Sequence, residues 1–201
     1  MPSPIGHALA GVAVAWSAER LRIAGPVSLR FTGLCAALAA APDLDLIVQP
    51  MHRTATHSVG AVALVMIVAI AVTGWVRRGQ VGQVGRVGQV GRVGQVGRVD
   101  QVGRVGQVGW GLAVVCTAAY ASHLLLDWLG SDPSWPAGIQ ALWPFSLRWF
   151  ISGWNVFPYI ERREMLSSTS IIINTKAIAG EIAIMAPIVA VLAWIRRLAR
   201  N

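Results

Sequence analysis

The chain of 201 residues holds four histidines, His7, His52, His57 and His123, and nine acidic residues. Three of the acids fall in step with the histidines. Asp43 and Asp45 follow Pro42 shortly before His52. Asp127 follows His123 by four, which puts both on one helix face. Neutral imidazole and carboxylate are the donors that zinc and other first-row divalent ions take. A metal held this way lowers the pKa of its water to about 7 and makes hydroxide at neutral pH. His7, Asp43, His52, His57 and His123 are therefore the candidate ligands, for one ion or two, with zinc favoured. Asp45, Arg53 and Asp127 are assigned to the chemistry. An aspartate can orient a ligand histidine instead of binding the ion. The Arg53 guanidinium, between two histidines, suits a substrate phosphate or carboxylate. Thr56 and Ser58 flank His57 and suit the cap of a following helix. Glu161 offers a further acid or base, within a charged stretch (Arg162, Arg163, Glu164) that otherwise reads as a solvated face. Glu19 and Glu181 read as structural.

The elements that must position these residues are apolar. Hydrophobic residues make up 55% of the chain and charged residues 13%, against about 25% charged in a soluble domain. The mean hydropathy is +0.57. Such a chain is neither disordered nor an ordinary soluble globule. Its net charge of +8 suggests nucleic acid or an anionic membrane. The basic residues lie between apolar runs, which selects the membrane and excludes nucleic acid as a partner. Cys35 and Cys116 sit inside apolar stretches as small core hydrophobes. The absence of a CxxC pair excludes a zinc ribbon.

A spanning helix needs about 20 mostly apolar residues. Phe31–Val48, Val59–Val76, Trp110–Leu129 and Ile178–Ile195 approach that length, and Ile5–Trp16 is a shorter fifth segment. The expected fold is an all-α integral membrane protein of four to five transmembrane helices, one domain over residues 1–201. Between its spans, residues 80–109 repeat the triplet [Gln or Arg]-Val-Gly, broken once at Asp100. The repeat holds four arginines and one acid, so without it the net charge falls from +8 to +5. Period three fits neither helix nor strand, and glycine at every third position weakens a helix. The repeat is expected to form a flexible loop. Residues 130–177, rich in tryptophan and proline, are expected to lie on the bilayer as an interfacial cap.

Arginines set the orientation. Arg20, Arg22 and Arg30, then Arg77, Arg78 and the repeat arginines, then Arg196, Arg197 and Arg200 mark alternate loops as cytoplasmic. All four histidines, with Asp43, Asp45 and Asp127, then fall on the opposite, outer face of the plasma membrane. Ionisable groups at membrane depth point to function. The leading expectation is a metal-dependent hydrolase acting on a phosphoester of a lipid or lipid-linked substrate. The alternatives are a metal- or proton-binding transporter or sensor, and a scaffold whose His and Asp only tie helices together.

Read in order, the chain carries Gly6-His7, then Pro42-Asp-Leu-Asp45, then His52-Arg-x-x-x-His57-Ser58. Ser122-His-Leu-Leu-Leu-Asp127 and Leu142-Trp-Pro-Phe-Ser146 follow. This series resembles the YdjM-type family of bacterial inner-membrane proteins, described as membrane-bound metal-dependent hydrolases. The resemblance covers most of the chain apart from the triplet repeat and the last span. It implies a multi-span helical membrane protein with divalent-metal hydrolase activity. It also implies that His7, Asp43, Asp45, His52, His57, His123 and Asp127 are the motif positions. Behind Asp127 the chain reads Trp128-Leu129-Gly130, without the threonine expected close behind it in many members.

Overall fold

A computed structural model describes residues 1–47, 53–87, 96–162, 164 and 166–199. The chain is all-helical: α1 (Pro4–Arg20), α2 (Leu29–Ala40), α3 (Val59–Val87), α4 (Val96–Leu129) and α5 (Ser168–Leu198). Short 3-10 turns occupy Ala41–Ile47 and Ala55–His57. Among the described residues no strand forms beyond two isolated bridges, Gly130 with Phe157 and Ile139 with Phe150.

Among the described residues three helices are long and apolar enough to cross a membrane, over Val59–Val76, Gly109–Leu129 and Ser168–Leu198. The 17 residues of α1 and the 12 of α2 are shorter, rising about 25 and 18 Å at 1.5 Å per residue. The expected span Phe31–Val48 is thus not one helix. Pro42 has no amide hydrogen to continue the α ladder, and the chain tightens into the 3-10 turn from Ala41. This break sets Asp43 and Asp45 at the end of a half-length helix.

The repeat also differs from expectation. Helix α3 runs on to Val87 and α4 starts at Val96, so residues 80–87 and 96–109 are helical rather than looped. A glycine costs about 1 kcal/mol against alanine in a helix. An apolar helix already nucleated propagates past such residues. Residues 88–95 lie outside the described ones. At the other end of α4 the cap is irregular only as far as residue 167, because α5 begins at Ser168, N-capped by the Ser167 hydroxyl.

Lipid tails are as apolar as leucine, so helices associate by close packing of small residues. Buried Ala15, Ala18, Cys35, Val115 and Ala119 make the seam of α1, α2 and α4, and the Trp16 indole donates to Thr32 across it at 3.2 Å. Helix α3 lies along α4, and no residue of its span is buried within the protein. At one end of the bundle Arg196 meets Glu19 at 2.6 Å and donates to Val27 O in the α1–α2 turn. Glu19 is thus structural, as expected. At the opposite end the cap closes over the helix termini: Ser131 N donates to Phe157 O, Val59 N to Ala141 O and Ser152 N to Trp128 O.

Gly11 tests the packing. A Cβ there would lie 2.3 Å from the Cys35 carbonyl oxygen and 2.9 Å from Ala36 Cα, both backbone. Gly33, also helical, faces open space. Gly11→Ala should lower the thermal midpoint in detergent, at a cost of about 1–3 kcal/mol. Gly33→Ala should leave it level or raise it. Equal midpoints for the two variants would refute the close α1–α2 approach.

Candidate metal centre

Four separate pieces of chain bring the site together. His7 lies one turn into α1, and Asp43 and Asp45 lie in the turn that ends α2. His57 closes the 3-10 turn before α3, and His123 and Asp127 lie in the last turns of α4. All three imidazoles are 0% exposed and Asp127 is 1% exposed. His52 lies outside the described residues.

Each well-anchored imidazole is held by the nitrogen that faces away from the centre. His123 Nδ1 is 2.7 Å from Ala39 O, and a carbonyl only accepts, so that nitrogen carries the proton. His57 Nδ1 lies 3.3 Å from Asp45 Oδ2 and 3.0 Å from the Thr56 hydroxyl, which itself donates to Asp45. The Tyr120 hydroxyl fixes this turn by donating to Thr56 O at 2.7 Å. In both neutral rings the Nε2 lone pair is left pointing inward.

Those two Nε2 atoms are 3.0 Å apart. Asp127 Oδ2 lies 3.3 Å from one and 3.2 Å from the other. With both rings neutral, three electron-pair donors converge there. The edge of a tetrahedral zinc site with 2.0–2.1 Å bonds is about 3.3 Å, so the triangle has the size of one coordination face. On its far side His7 stacks on His123 with ring centroids 3.7 Å apart, and His7 Nε2 is 3.3 Å from Asp127 Oδ1. Asp43 Oδ1 is 4.0 Å from His123 Nε2. The site holds two overlapping groups of metal-ligating spacing, His57–His123–Asp127 and His7–Asp43–His123. Neither nitrogen of His7, neither oxygen of Asp127, nor Oδ2 of Asp43 makes a hydrogen bond; the contacts of Asp127 with the three histidines, at 3.2–3.3 Å, are ion-pair contacts. Buried polar atoms left so are rare, and these belong to groups that could hold a metal ion. Burial opposes charge on His57, yet the carboxylates of Asp127 and Asp45 beside it override this and push its pKa up to about 9. The centre thus draws positive charge.

Arg53, expected to hold a substrate anion, is engaged within the protein. It takes a left-handed backbone conformation, φ 66°, costly for a non-glycine residue. Its Nη1 donates to Asp132 Oδ2 at 2.6 Å, Ser134 Oγ at 3.0 Å and Pro136 O at 3.1 Å, and its guanidinium stacks over Trp149. Arg53 thus clasps the cap at Asp132, Ser134 and Pro136. Asp45 supports His57 instead of standing at the centre, and Thr56 bonds Asp45 while Ser58 alone caps α3, accepting from Ala61 N at 3.1 Å.

The sequence reading missed Arg162, assigned to a solvated face. Its Nη2 lies 3.5 Å from Asp43 Oδ1 and donates to Pro2 O at 3.3 Å. No spacing could reveal it, since 119 positions separate it from Asp43. Arg163 lies outside the described residues. Glu161 is tied through its backbone to Asn174, whose amide both accepts from Glu161 N and donates to Glu161 O.

A protein-family model described as YdjM inner membrane protein matches residues 1–200. No curated protein and no solved structure matches the chain.

The clasp predicts a pH dependence. Burial would raise the Asp132 carboxyl, but hydrogen bonds from Ser134 and Gly138 and the Arg53 charge hold it below its ordinary value. A depressed acid adds stability above its unfolded pKa, about 3.9, and that stability is lost as pH falls through the folded value. Asp132→Asn should therefore lower the thermal midpoint at pH 7, by about 1–3 kcal/mol of stability. The gap from wild type should narrow below pH 4. An unchanged midpoint at pH 7 would show the clasp to be inert.

Proposed function

The chain belongs to the YdjM inner membrane protein family, and on that premise we propose that it is a membrane-bound metal-dependent hydrolase. The observation that carries this reading is the meeting of His57 Nε2 and His123 Nε2 at 3.0 Å with Asp127 Oδ2 against both. Two inward lone pairs and a carboxylate repel one another unless a cation lies among them. Zinc suits the imidazole and carboxylate donors, with His7 and Asp43 completing the set. When bound, a divalent ion supplies Lewis acidity and an activated water at neutral pH.

The chain's own residues do the rest. Asp45 and the Ala39 carbonyl fix the ring orientations of His57 and His123. Arg162, 22% exposed at its side chain and beside Asp43, is the cation placed to steady a phosphate. A lipid or lipid-linked phosphoester is the favoured substrate class, because the centre lies at the ends of apolar helices where headgroups reside. The arginines of the α1–α2 turn and of the α5 end lie at the other end of the bundle. Under the positive-inside rule this arrangement supports an outer-face centre. The second reading fills the same place with a proton, as the raised pKa of His57 favours, and makes the protein a transporter or sensor.

Elemental analysis of detergent-purified protein separates the two. Wild type should carry divalent metal in stoichiometric amount, and the His57→Ala/His123→Ala double variant should carry almost none. Metal retained in the double variant would refute the assignment, and a metal-free, metal-indifferent wild type would favour the proton. With lipid phosphates in mixed micelles, Arg162→Ala should lower turnover about 100-fold at unchanged metal content. Turnover at the wild-type rate would remove Arg162 from the site.

A further inference from the structure

Glu181 is fully buried in α5, inside an apolar stretch long enough to span a membrane. A carboxylate there is expensive and persists only with specific partners. Ser3 supplies two hydrogen bonds to it: Ser3 N donates to Oε1 at 2.7 Å, and the Ser3 hydroxyl donates to Oε2. Ser3 is the N-cap of α1, and its hydroxyl oxygen also accepts from Gly6 N at 3.3 Å. The carboxylate therefore sits against the end of α1 that has free amides and the positive pole of the helix dipole. Gly6 makes the approach possible, because a Cβ there would lie 2.7 Å from Glu181 Oε2.

The Ser3 carbonyl accepts from His7 N at 3.2 Å. A short chain of contacts thus runs from Glu181 through Ser3 to His7. His7 needs it more than the other histidines do. His57 and His123 are each anchored by Nδ1, on Asp45 and on Ala39 O, whereas His7 Nδ1 has no hydrogen-bond partner. Its imidazole is placed by its backbone and by stacking on His123.

We propose that Glu181 is the positioning residue for His7, fixing the first turn of α1 and with it the imidazole in the centre. This rests on the metal reading above. The test uses the full chain in detergent, with cobalt(II) as probe, read by affinity and by its visible absorption. Glu181→Ala and Ser3→Ala should each weaken cobalt binding about 10- to 100-fold and alter the absorption bands. Glu181→Gln should recover most of the affinity, because its amide oxygen still accepts from Ser3 N. Glu19→Gln is the control, since it loosens α1 from α5 at the far end, where Glu19 meets Arg196, and should change neither readout. Wild-type affinity and bands in both Glu181→Ala and Ser3→Ala would overturn the proposal, as would equal weakening in Glu19→Gln. If Glu181→Ala does not fold, Ser3→Ala carries the test. If wild type takes no cobalt, the metal reading fails, and the clamp is read by amide hydrogen exchange over residues 6–10. Exchange at least about 10-fold faster in Ser3→Ala would support it, and unchanged exchange would overturn it.

Discussion

Two fully buried imidazole nitrogens face each other 3.0 Å apart, and a carboxylate oxygen closes on both. In a buried interior such groups are tolerated only when a cation or proton compensates them. Most of what is unusual in the chain is arranged around that meeting point. The helix that carries Asp43 and Asp45 stops after 12 residues. The helix that carries His7 starts at its Ser3 cap on a buried glutamate. The turn that carries His57 is pinned by Tyr120.

Half-length helices are how this bundle reaches its own interior. A residue in mid-span of a full transmembrane helix has its backbone amides already used. The ends of α1 and α2 offer side chains and free backbone groups at a level within the protein, which is permitted only where protein rather than lipid surrounds them. Ala39 O, at the end of α2, accepts from His123 for this reason. Alanine, glycine and cysteine along the α1–α2–α4 seam let the backbones approach closely enough to hold these ends together. The Arg196–Glu19 pair ties α5 to α1 at the opposite end.

The cap completes the enclosure without being regular. Arg53 binds it by charge and hydrogen bonds to Asp132, Ser134 and Pro136, while Arg162 descends from its later part to Asp43. Two arginines that look alike in sequence thus do different things. One fastens the cap, and the other reaches the centre at Asp43.

The sequence alone determined the helical membrane class, because 55% hydrophobic and 13% charged residues admit little else, and three of its expected spans stand as helices. It also picked out His7, Asp43, His57, His123 and Asp127, since rare ionisable residues at span ends are conspicuous against an apolar chain. Tertiary structure decided what local pattern does not encode. Pro42 turned an expected span into a half-helix, and the triplet repeat became helical at both ends because neighbouring helix overrode glycine's weak preference. The roles of Arg53, Arg162 and Glu181 depend on contacts across 79, 119 and 178 positions. A side chain's partner at that separation is set by how helices pack, and spacing along the chain carries no record of it.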